Sequence, residues 1–336
     1  MHWDWGWQLA KRHNKVMKPI FIFSLPRSGS TLLQRILSAH SQIASAAEPW
    51  ILLPLAAMKK EMDIVSFSSY SDRAARQAIQ DLVDALPCED NYYQAVGQFV
   101  SQIYATLATS GESYFLDKTP RYYQIIDFIK RVFPDSKFIF LFRNPLSVLA
   151  SMVTTWGGGS LKLQRFYLDL YRGPRYIYDG WQKFASNSFS LYYKDLVNQP
   201  EEVLRDLCGY LGLAFEAEMI SDFSQVRYAG YLGDEVGKRR YQSISTESLE
   251  RWKTVLHTPF RRWYAKRYIS ILGQDVVESF GESQTNLFHQ IDKLPLRINL
   301  LLTLKDIFWL LNALVRKYMV ILPITGKTNH KHFDLR

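Results

Sequence analysis

The stretch FIFSLPRSGSTLLQRIL, residues 21–37, decides how the rest of the sequence is interpreted. An apolar strand runs into a short polar turn, and an amphipathic helix follows directly. Such a unit points backbone N–H groups and the positive end of the helix at whatever lies above the turn, as in a phosphate-binding loop. The Gly-Lys pair of the usual nucleotide-cleaving loop is missing, however, and Arg27 stands in the turn instead.

The side chains of this turn suit an anion. Gly29 allows close approach of the backbone, and the guanidinium of Arg27 is a cationic fork that matches phosphate or sulfate oxygens. The hydroxyl groups of the turn add further donors. The predicted loop contacts are Arg27, Ser28, Gly29, Ser30, Thr31 and Leu32. The alternative interpretation is a serine-capped helix that follows an ordinary turn.

A second motif, KFIFLFRNPLSVLASM, occupies residues 137–152. Arg143 ends an almost wholly apolar strand, and Ser151 lies two turns into the helix that begins at Pro145. Open α/β sheets bind ligands at the carboxyl edge of their strands, where both motifs end. The two motifs are therefore predicted to hold two separate phosphate groups of one ligand. The alternative is that Arg143 pairs with a surface carboxylate.

The order of the predicted elements indicates an α/β fold with a mainly parallel central sheet between two helical layers. Strand patterns at 20–25, 114–119, 137–143 and 188–193 alternate with helical patterns at 30–40, 72–86, 91–110, 121–133, 145–156 and 199–212. We expect an N-terminal lead-in over 1–18, a main domain over 19–283, and an apolar and basic helical extension over 284–336.

The composition limits the classes of ligand and partner that the chain is expected to bind. The chain has 336 residues and a net charge of +9, which favours anionic ligands without choosing among them. Its cations cluster at the predicted ligand loops and near residues 261–267, so a nucleic-acid partner is not expected. Two cysteines, Cys88 and Cys208, have no metal spacing, which favours a reducing compartment. No secretory signal is apparent at the N-terminus, and a cytoplasmic location is expected.

The C-terminal extension has two interpretations. Lys305, Asn312 and Arg316 fall on one side of a helix whose other positions are mostly apolar. The helix could pack on the domain or on a second subunit, giving a homodimer. It could instead lie on the inner face of a membrane, as a peripheral interfacial helix.

The two motifs together resemble the paired signatures of sulfotransferases that use 3′-phosphoadenosine 5′-phosphosulfate (PAPS). LDKTP (116–120), YYKDLVNQPEEVLRDLCGYLGL (192–213) and GDEVGKRRYQSISTESLERW (233–252) also fit that family in order. The resemblance extends over about residues 19–257. It implies the P-loop-like sulfotransferase fold, in which the first loop holds the 5′-phosphosulfate and the pair Arg143 and Ser151 holds the 3′-phosphate. PAPS would be the cosubstrate, with no metal required.

The resemblance also implies catalytic residues. Cytosolic small-molecule sulfotransferases have a histidine soon after the Lys-Thr pair, but DKTPRYY has none, so the tyrosylprotein and carbohydrate branches are nearer. Glu48, 21 residues beyond Arg27, is the expected base, with a structural role beside Pro49 as the alternative and His40 as the rival base. Lys118 would steady the leaving phosphate together with Arg27, unless it pairs only with Asp117 or another neighbour.

Further residues are assigned to the nucleotide by the same resemblance. The segment with Lys238, Arg239 and Arg240 would fold over the 3′-phosphate, although a solvated charge run is the ordinary interpretation. Ser245 belongs to the same segment. Tyr193 would lie near the nucleotide or in the core.

The expected function is therefore transfer of a sulfuryl group from PAPS to a hydroxyl of a carbohydrate, glycolipid or other glycoconjugate acceptor, with glycan sulfation as the process. The alternative is a P-loop-type nucleotide kinase or NTPase, against which the missing GK[ST] sequence argues.

Overall fold

The computed structural model describes residues 17–58, 70–108, 110–228 and 243–321, without the side chains of 70–76, 314 and 316–321. Statements about the architecture refer to these residues. The predicted nucleotide contacts Lys238, Arg239 and Arg240 lie outside them.

The centre of the fold is a parallel sheet of five strands in the order β2-β3-β1-β4-β5. In chain order the strands are β1 (Lys18–Phe23), β2 (Ile43–Ser45), β3 (Tyr114–Asp117), β4 (Lys137–Phe142) and β5 (Ser188–Tyr192). β1 is the central strand: Ile20 pairs with Leu116 of β3, and Phe21 pairs with Phe138 of β4. The predicted α/β fold with a mainly parallel sheet is confirmed.

Fifteen α-helices are present in the described residues, together with short 3₁₀ and π segments. They are α1 (Ser30–Ser38), α2 (Leu52–Ala57), α3 (Tyr70–Asp84), α4 (Asp90–Leu107), α5 (Ile126–Val132), α6 (Pro145–Thr155), α7 (Gly173–Phe184), α8 (Tyr193–Asn198), α9 (Pro200–Leu211), α10 (Glu218–Ser221), α11 (Arg251–Val255), α12 (Pro259–Leu272), α13 (Gln274–Ser279), α14 (Gln284–Asp292) and α15 (Leu300–Ile321).

Both faces of the sheet are buried, which explains why the strands read as continuous apolar runs. Phe21 and Phe23 of β1 belong to one apolar cluster, with α4, α5, α6 and α12. Ile20 and Ile22 of the same strand belong to a second cluster, with α1, α8 and α9. Successive side chains of a strand point to opposite faces, so the alternation places helices on both sides and gives three layers.

Local sequence signals determine where the helices beside the site begin and end. Asn144 caps α6, because its side-chain oxygen accepts hydrogen bonds from the amides of Leu146 and Ser147, and Pro145 occupies the first turn. α9 ends at Gly212, which adopts a left-handed conformation with φ 74°. The cap at Asn144 starts α6 directly after the carboxyl end of β4.

Candidate active site

The first loop joins β1 to α1 and has a constrained backbone. Arg27 and Gly29 both have positive φ angles, of 70° and 94°. The ring of Tyr193 lies against Gly29 so closely that a Cβ at this position would stand 2.4 Å from the ring. Any other residue at position 29 would therefore clash with the tyrosine and strain the turn. Tyr193 is thus part of the wall of the loop, and it is also buried in the core.

Arg143 connects the two motifs. One terminal nitrogen, Nη1, donates to the carbonyl of Arg27 at 2.8 Å, and the other, Nη2, donates to the carbonyl of Ser248 at 3.0 Å. Its guanidinium carbon lies 4.3 Å from the ring centre of Tyr193, and the Tyr193 hydroxyl lies 2.9 Å from the Ser248 hydroxyl. The end of β4 therefore contacts the first loop and the segment after residue 243.

Ser151 approaches the same loop from α6. Its hydroxyl accepts a hydrogen bond of 3.3 Å from Nε of Arg27. The guanidinium of Arg27 also lies 5.8 Å from the ring centre of Trp156, at the C-terminal end of α6. The two motifs thus meet in a direct contact between the Arg27 and Ser151 side chains.

A cavity of about 720 Å³ opens over these groups. Its volume falls within the range of about 300–1,000 Å³ that is usual for small-molecule sites. Six of the predicted nucleotide residues line it, namely Arg27, Leu32, Arg143, Ser151, Tyr193 and Ser245. Sequence analysis missed Ser147, Thr154, Ser248 and Trp252 among its walls. The serine-rich stretch 243–248 was the signal that could have pointed to Ser248.

The first loop and the cavity beside it offer donors that suit the phosphate groups of a nucleotide, although Glu247 and Glu250 also line the cavity. The Ser28 hydroxyl is fully buried in the first loop and makes no hydrogen bond with any described residue. A buried hydroxyl without a partner is costly, and an anion in the loop would satisfy it. Arg143 and Ser151 line the same cavity and both contact Arg27, and their guanidinium and hydroxyl groups are suitable donors for phosphate oxygens.

Glu48 and Lys118, the two predicted proton-transfer and leaving-group residues, are in contact. Nζ of Lys118 donates to Oε1 of Glu48 at 2.6 Å, and the Trp50 indole donates to the other carboxylate oxygen at 3.2 Å. Lys118 directly follows β3, which neighbours β1. The pair therefore stands at the same sheet edge as the first loop. The structure contains both contacts that were stated as alternatives. Glu48 has a local contact with Trp50, and Lys118 pairs with a neighbour, which is Glu48 itself.

The hydrogen bonds to the Asp117 carboxylate come from hydroxyl groups and not from Lys118. Three hydroxyls donate to this carboxylate, those of Tyr104 at 2.6 Å, Tyr122 at 3.0 Å and Thr119 at 2.9 Å. Burial raises the pKa of Asp117 to about 6, although these hydrogen bonds act in the opposite direction. The network fixes the end of β3 and thereby the position from which Lys118 extends.

His40, the rival base, is far from the loop. It lies beyond the C-terminal end of α1, whereas the loop precedes the first residue of the same helix, about 13 Å away at 1.5 Å per residue. Its Nε2 lies 2.9 Å from the carbonyl of Ala214, and its Nδ1 accepts from the amide of Gln42 at 3.0 Å. His40 is thus a buried residue that joins the end of α1 to the segment after α9.

The glycine run after α6 is held in place by many contacts. Gly158 and Gly159 have positive φ angles, and the amide of Gly159 donates to the carbonyl of Val153 at 2.9 Å. Arg261 of α12 donates to the carbonyl of Gly159 at 2.5 Å, and the amide of Leu161 donates to Asp306 of α15 at 2.8 Å. The loop is therefore tied to two C-terminal helices, α12 and α15.

The fold and the site together define an α/β protein with an arginine-containing anion loop at the carboxyl edge of a parallel sheet. Residues 19–217 match the model of the sulfotransferase family. This match covers more than half of the chain. The chain therefore belongs to the sulfotransferase family, and the predicted family, fold and enzyme class, a PAPS-dependent sulfotransferase, are confirmed.

Individual relatives agree with this assignment. The chain is 33% identical over 297 residues to nodulation protein NoeE of Sinorhizobium fredii, covering 79% of this chain and 66% of that protein. It is 24% identical over 250 residues to protein-tyrosine sulfotransferase 1 of Danio rerio, covering 71% of this chain and 67% of that protein. The chain thus spans about two thirds of the length of these two relatives.

Among solved structures, the sulfotransferase domain from the curacin biosynthetic pathway superposes with a TM-score of 0.51 and 21% identity. The superposition covers 72% of this chain and 92% of that domain. At this level of identity the likeness shows a shared fold.

Proposed function

We propose that this chain transfers the sulfuryl group of PAPS to a hydroxyl of an acceptor, with Glu48 as the general base. The observation that carries the proposal is the convergence of Arg27, Arg143 and Ser151 on one cavity, at the sheet edge where Glu48 and Lys118 stand in contact. A phosphate-binding end and a proton-accepting end on one edge are what a sulfuryl transfer needs.

In this proposal the first loop holds the 5′ end of the nucleotide. The backbone amides of the turn, the Ser28, Ser30 and Thr31 hydroxyls and the Arg27 guanidinium would donate to its phosphosulfate. Arg143 and Ser151 would donate to the 3′-phosphate, together with Ser245 and with Lys238, Arg239 and Arg240. Tyr193, which lies against Gly29 and beneath Arg143, would shape the space between the two ends.

PAPS supplies the sulfuryl group, which passes to the acceptor oxygen as the bond to the 5′-phosphate breaks. Glu48 takes the proton of the acceptor hydroxyl, and Trp50 orients the carboxylate through its indole N–H. Lys118 balances the carboxylate charge before transfer and can turn to the oxygen of the leaving phosphate, because an ammonium on a flexible stem is a movable point charge. Arg27 carries the remaining charge of the leaving group.

We further propose a carbohydrate or glycoconjugate acceptor and a cytoplasmic location. Trp156 stacks on Phe166 with ring centres 4.5 Å apart, lies beside Arg27 and is partly exposed, so that part of an aromatic side chain is open to an acceptor. Tyr167 is exposed nearby in sequence and stacks on Tyr171. Both cysteines are free thiols, as is usual in a reducing compartment.

The first experiment is calorimetric titration of the full chain with 3′,5′-adenosine bisphosphate in EDTA, and separately with ATP and magnesium. We expect micromolar binding of the bisphosphate and much weaker binding of ATP. Preference for magnesium-ATP would instead support a kinase or NTPase and overturn the proposal.

Arg143→Ala tests the assignment of the 3′ end. We expect this variant to lose bisphosphate affinity about 30-fold, the effect of one charge-assisted contact of about 2 kcal/mol. Binding of the 3′-hydroxyl analogue should change little. An equal loss for both ligands would show that Arg143 does not contact the 3′-phosphate.

The acceptor class is tested with PAPS carrying labelled sulfate. One reaction contains mixed oligosaccharides, and the other contains tyrosine peptides, the acceptor class in the name of the zebrafish relative. Label in the oligosaccharides alone supports the proposed acceptor. Label in the peptides alone would replace it with a protein tyrosine.

A further inference from the structure

The last described helix, α15, is attached to the domain along one side only. Asp306 is completely buried, and its carboxylate accepts from Nε of Arg261 at 2.6 Å and from the amide of Leu161 at 2.8 Å. The side chain of Gln164 donates to the carbonyl of Trp309 at 2.7 Å, and Leu310 packs against the main core. The inward side of α15 is therefore fixed by specific polar contacts and by apolar packing.

The opposite side of α15 is apolar and exposed. Leu304, Phe308 and Leu311 are each more than half exposed, at 56%, 58% and 56%. With Leu300 and Val315 they recur every three or four residues and form one continuous strip, here called the outer stripe. A contiguous apolar strip of this kind marks a contact surface, whereas single exposed apolar residues do not.

Most of the exposed charges on α15 and just before it are positive, with Asp292 as the exception. Lys305 is exposed on α15, and Lys293 and Arg297 are exposed just before it. The sequence of α15 contains one carboxylate, Asp306, and this carboxylate is buried and paired with Arg261. The helix therefore presents apolar and cationic groups to the outside without an exposed anion.

We propose that the outer stripe lies on an anionic lipid surface. Apolar side chains would enter the boundary between headgroups and acyl chains, and the flanking cations would contact acidic headgroups. A second copy of the chain would cover the apolar stripe but would offer no acidic groups to the flanking cations, because α15 carries no exposed carboxylate. None of the helices that the structure describes is long and apolar enough to cross a membrane, so the contact is one along the surface.

The same contacts connect the outer stripe to the candidate active site. The loop after α6 carries Trp156 beside Arg27, and it continues through Leu161 to Lys162, whose ammonium lies 4.5 Å from the ring centre of Trp309 on α15. A protein lying on this stripe would hold that loop close to the lipid surface. If the proposed function holds, acceptors in or on the membrane would be the ones presented to the site.

The test is cosedimentation of the full chain with phosphatidylcholine vesicles that do or do not contain phosphatidylglycerol. We expect binding to the anionic vesicles, weakened by added salt. Leu304→Ser with Phe308→Ser should lower the partition coefficient at least about tenfold, since two apolar side chains leave the interface. The matched control is Leu82→Ser with Phe99→Ser, which changes a leucine and a phenylalanine exposed to 69% and 51% on α3 and α4.

Titration with 3′,5′-adenosine bisphosphate, or thermal unfolding if no nucleotide binds, checks that both double variants are folded. Vesicle binding does not depend on sulfuryl transfer, so its outcome is separate from that of the proposed function. Equal binding to both vesicle types, or equal loss in the control, would overturn the proposal. A dimer in light scattering that only Leu304→Ser with Phe308→Ser dissociates would assign the stripe to a second copy instead.

Discussion

Two buried ion pairs, one at the sheet edge and one beneath α15, differ in how completely their members are bonded. At the sheet edge, Glu48 has one hydrogen bond on each carboxylate oxygen, from Lys118 and from Trp50, and its side chain is 12% exposed. Beneath α15, Asp306 is completely buried, and Arg261 donates to both of its oxygens and to the carbonyls of Val255 and Gly159.

This difference in hydrogen bonding indicates different roles for the two ion pairs, one in the proposed chemistry and one in holding the fold together. Arg261 donates hydrogen bonds through all three of its side-chain nitrogens. It cannot leave Asp306 without breaking several buried hydrogen bonds. A lysine that meets its carboxylate through a single ammonium contact can turn to a new oxygen at a smaller cost. The sheet-edge pair is thus suited to proton and charge movement, and the pair beneath α15 is suited to joining helices.

The largest effect is expected for Glu48→Gln, which removes the proton acceptor and keeps the shape. We expect single-turnover transfer to fall about 1,000-fold, within the range of about 100- to 10,000-fold for a general base. Bisphosphate binding should stay within about twofold, because Glu48 stands outside the nucleotide contacts. Retained turnover would mean that another group takes the proton, and His40 is too far from the loop to be that group.

Asp306→Ala should be the strongest change to stability. The substitution leaves the Arg261 charge buried without its carboxylate and the Leu161 amide without its acceptor, at a cost of about 3–5 kcal/mol. Urea unfolding measures it. The control is Asp292→Asn, because Asp292 is a mostly exposed partner of Lys266 and its loss should change the unfolding free energy far less. Similar losses in the two variants would contradict the distinction between the pairs.

The sequence predicted the sheet-edge region far better than the region beneath α15. Long apolar runs and turn residues identified β1, β3, β4 and β5, because strands buried on both faces leave a clear local pattern. β2 was missed, since its three residues are too few to show a pattern. Arg27, Arg143 and Ser151 could be predicted together, because parallel strands end at one edge of the sheet.

Contacts between distant segments could not be predicted from local patterns. Glu48 and Lys118 are 70 residues apart, and nothing in either neighbourhood specifies that they touch. In the sequence, Asp306 is a charged residue that interrupts an apolar run. In the structure it is buried, because it forms an ion pair with Arg261, 45 residues earlier. Of the two interpretations of the C-terminal helix, packing on the domain is observed along its inward side, and membrane contact is the proposal for its outer stripe.

Asp117 should make the stability of the sheet-edge region depend on pH, with an expected effect smaller than that of Asp306→Ala. Its pKa is about 6 in the folded chain and 3.8 in the reference state, so the folded state binds the proton more tightly. Stability from this group is therefore greatest at low pH and falls as pH rises from about 4 to about 6, by about 3 kcal/mol in all.

Asp117→Asn should remove that dependence. Urea unfolding of both chains between pH 4 and pH 7.5 gives the difference in unfolding free energy, which should shift in favour of the variant as pH rises. Parallel curves would show that the Asp117 carboxyl titrates alike in the folded and unfolded chains.

The smallest effect is expected for Ser151→Ala, which removes one hydroxyl from the cavity and the long contact of 3.3 Å with Arg27. We expect bisphosphate affinity to fall about fivefold, since one hydrogen bond is worth about 1 kcal/mol. The control is Ser270→Ala, an exposed helical serine whose hydroxyl donates to the carbonyl four residues earlier. If Ser151→Ala lost as much affinity as Arg143→Ala, the hydroxyl would be acting through the Arg27 guanidinium and the whole first loop. The side chains at the sheet edge would then bind the nucleotide as one coupled unit.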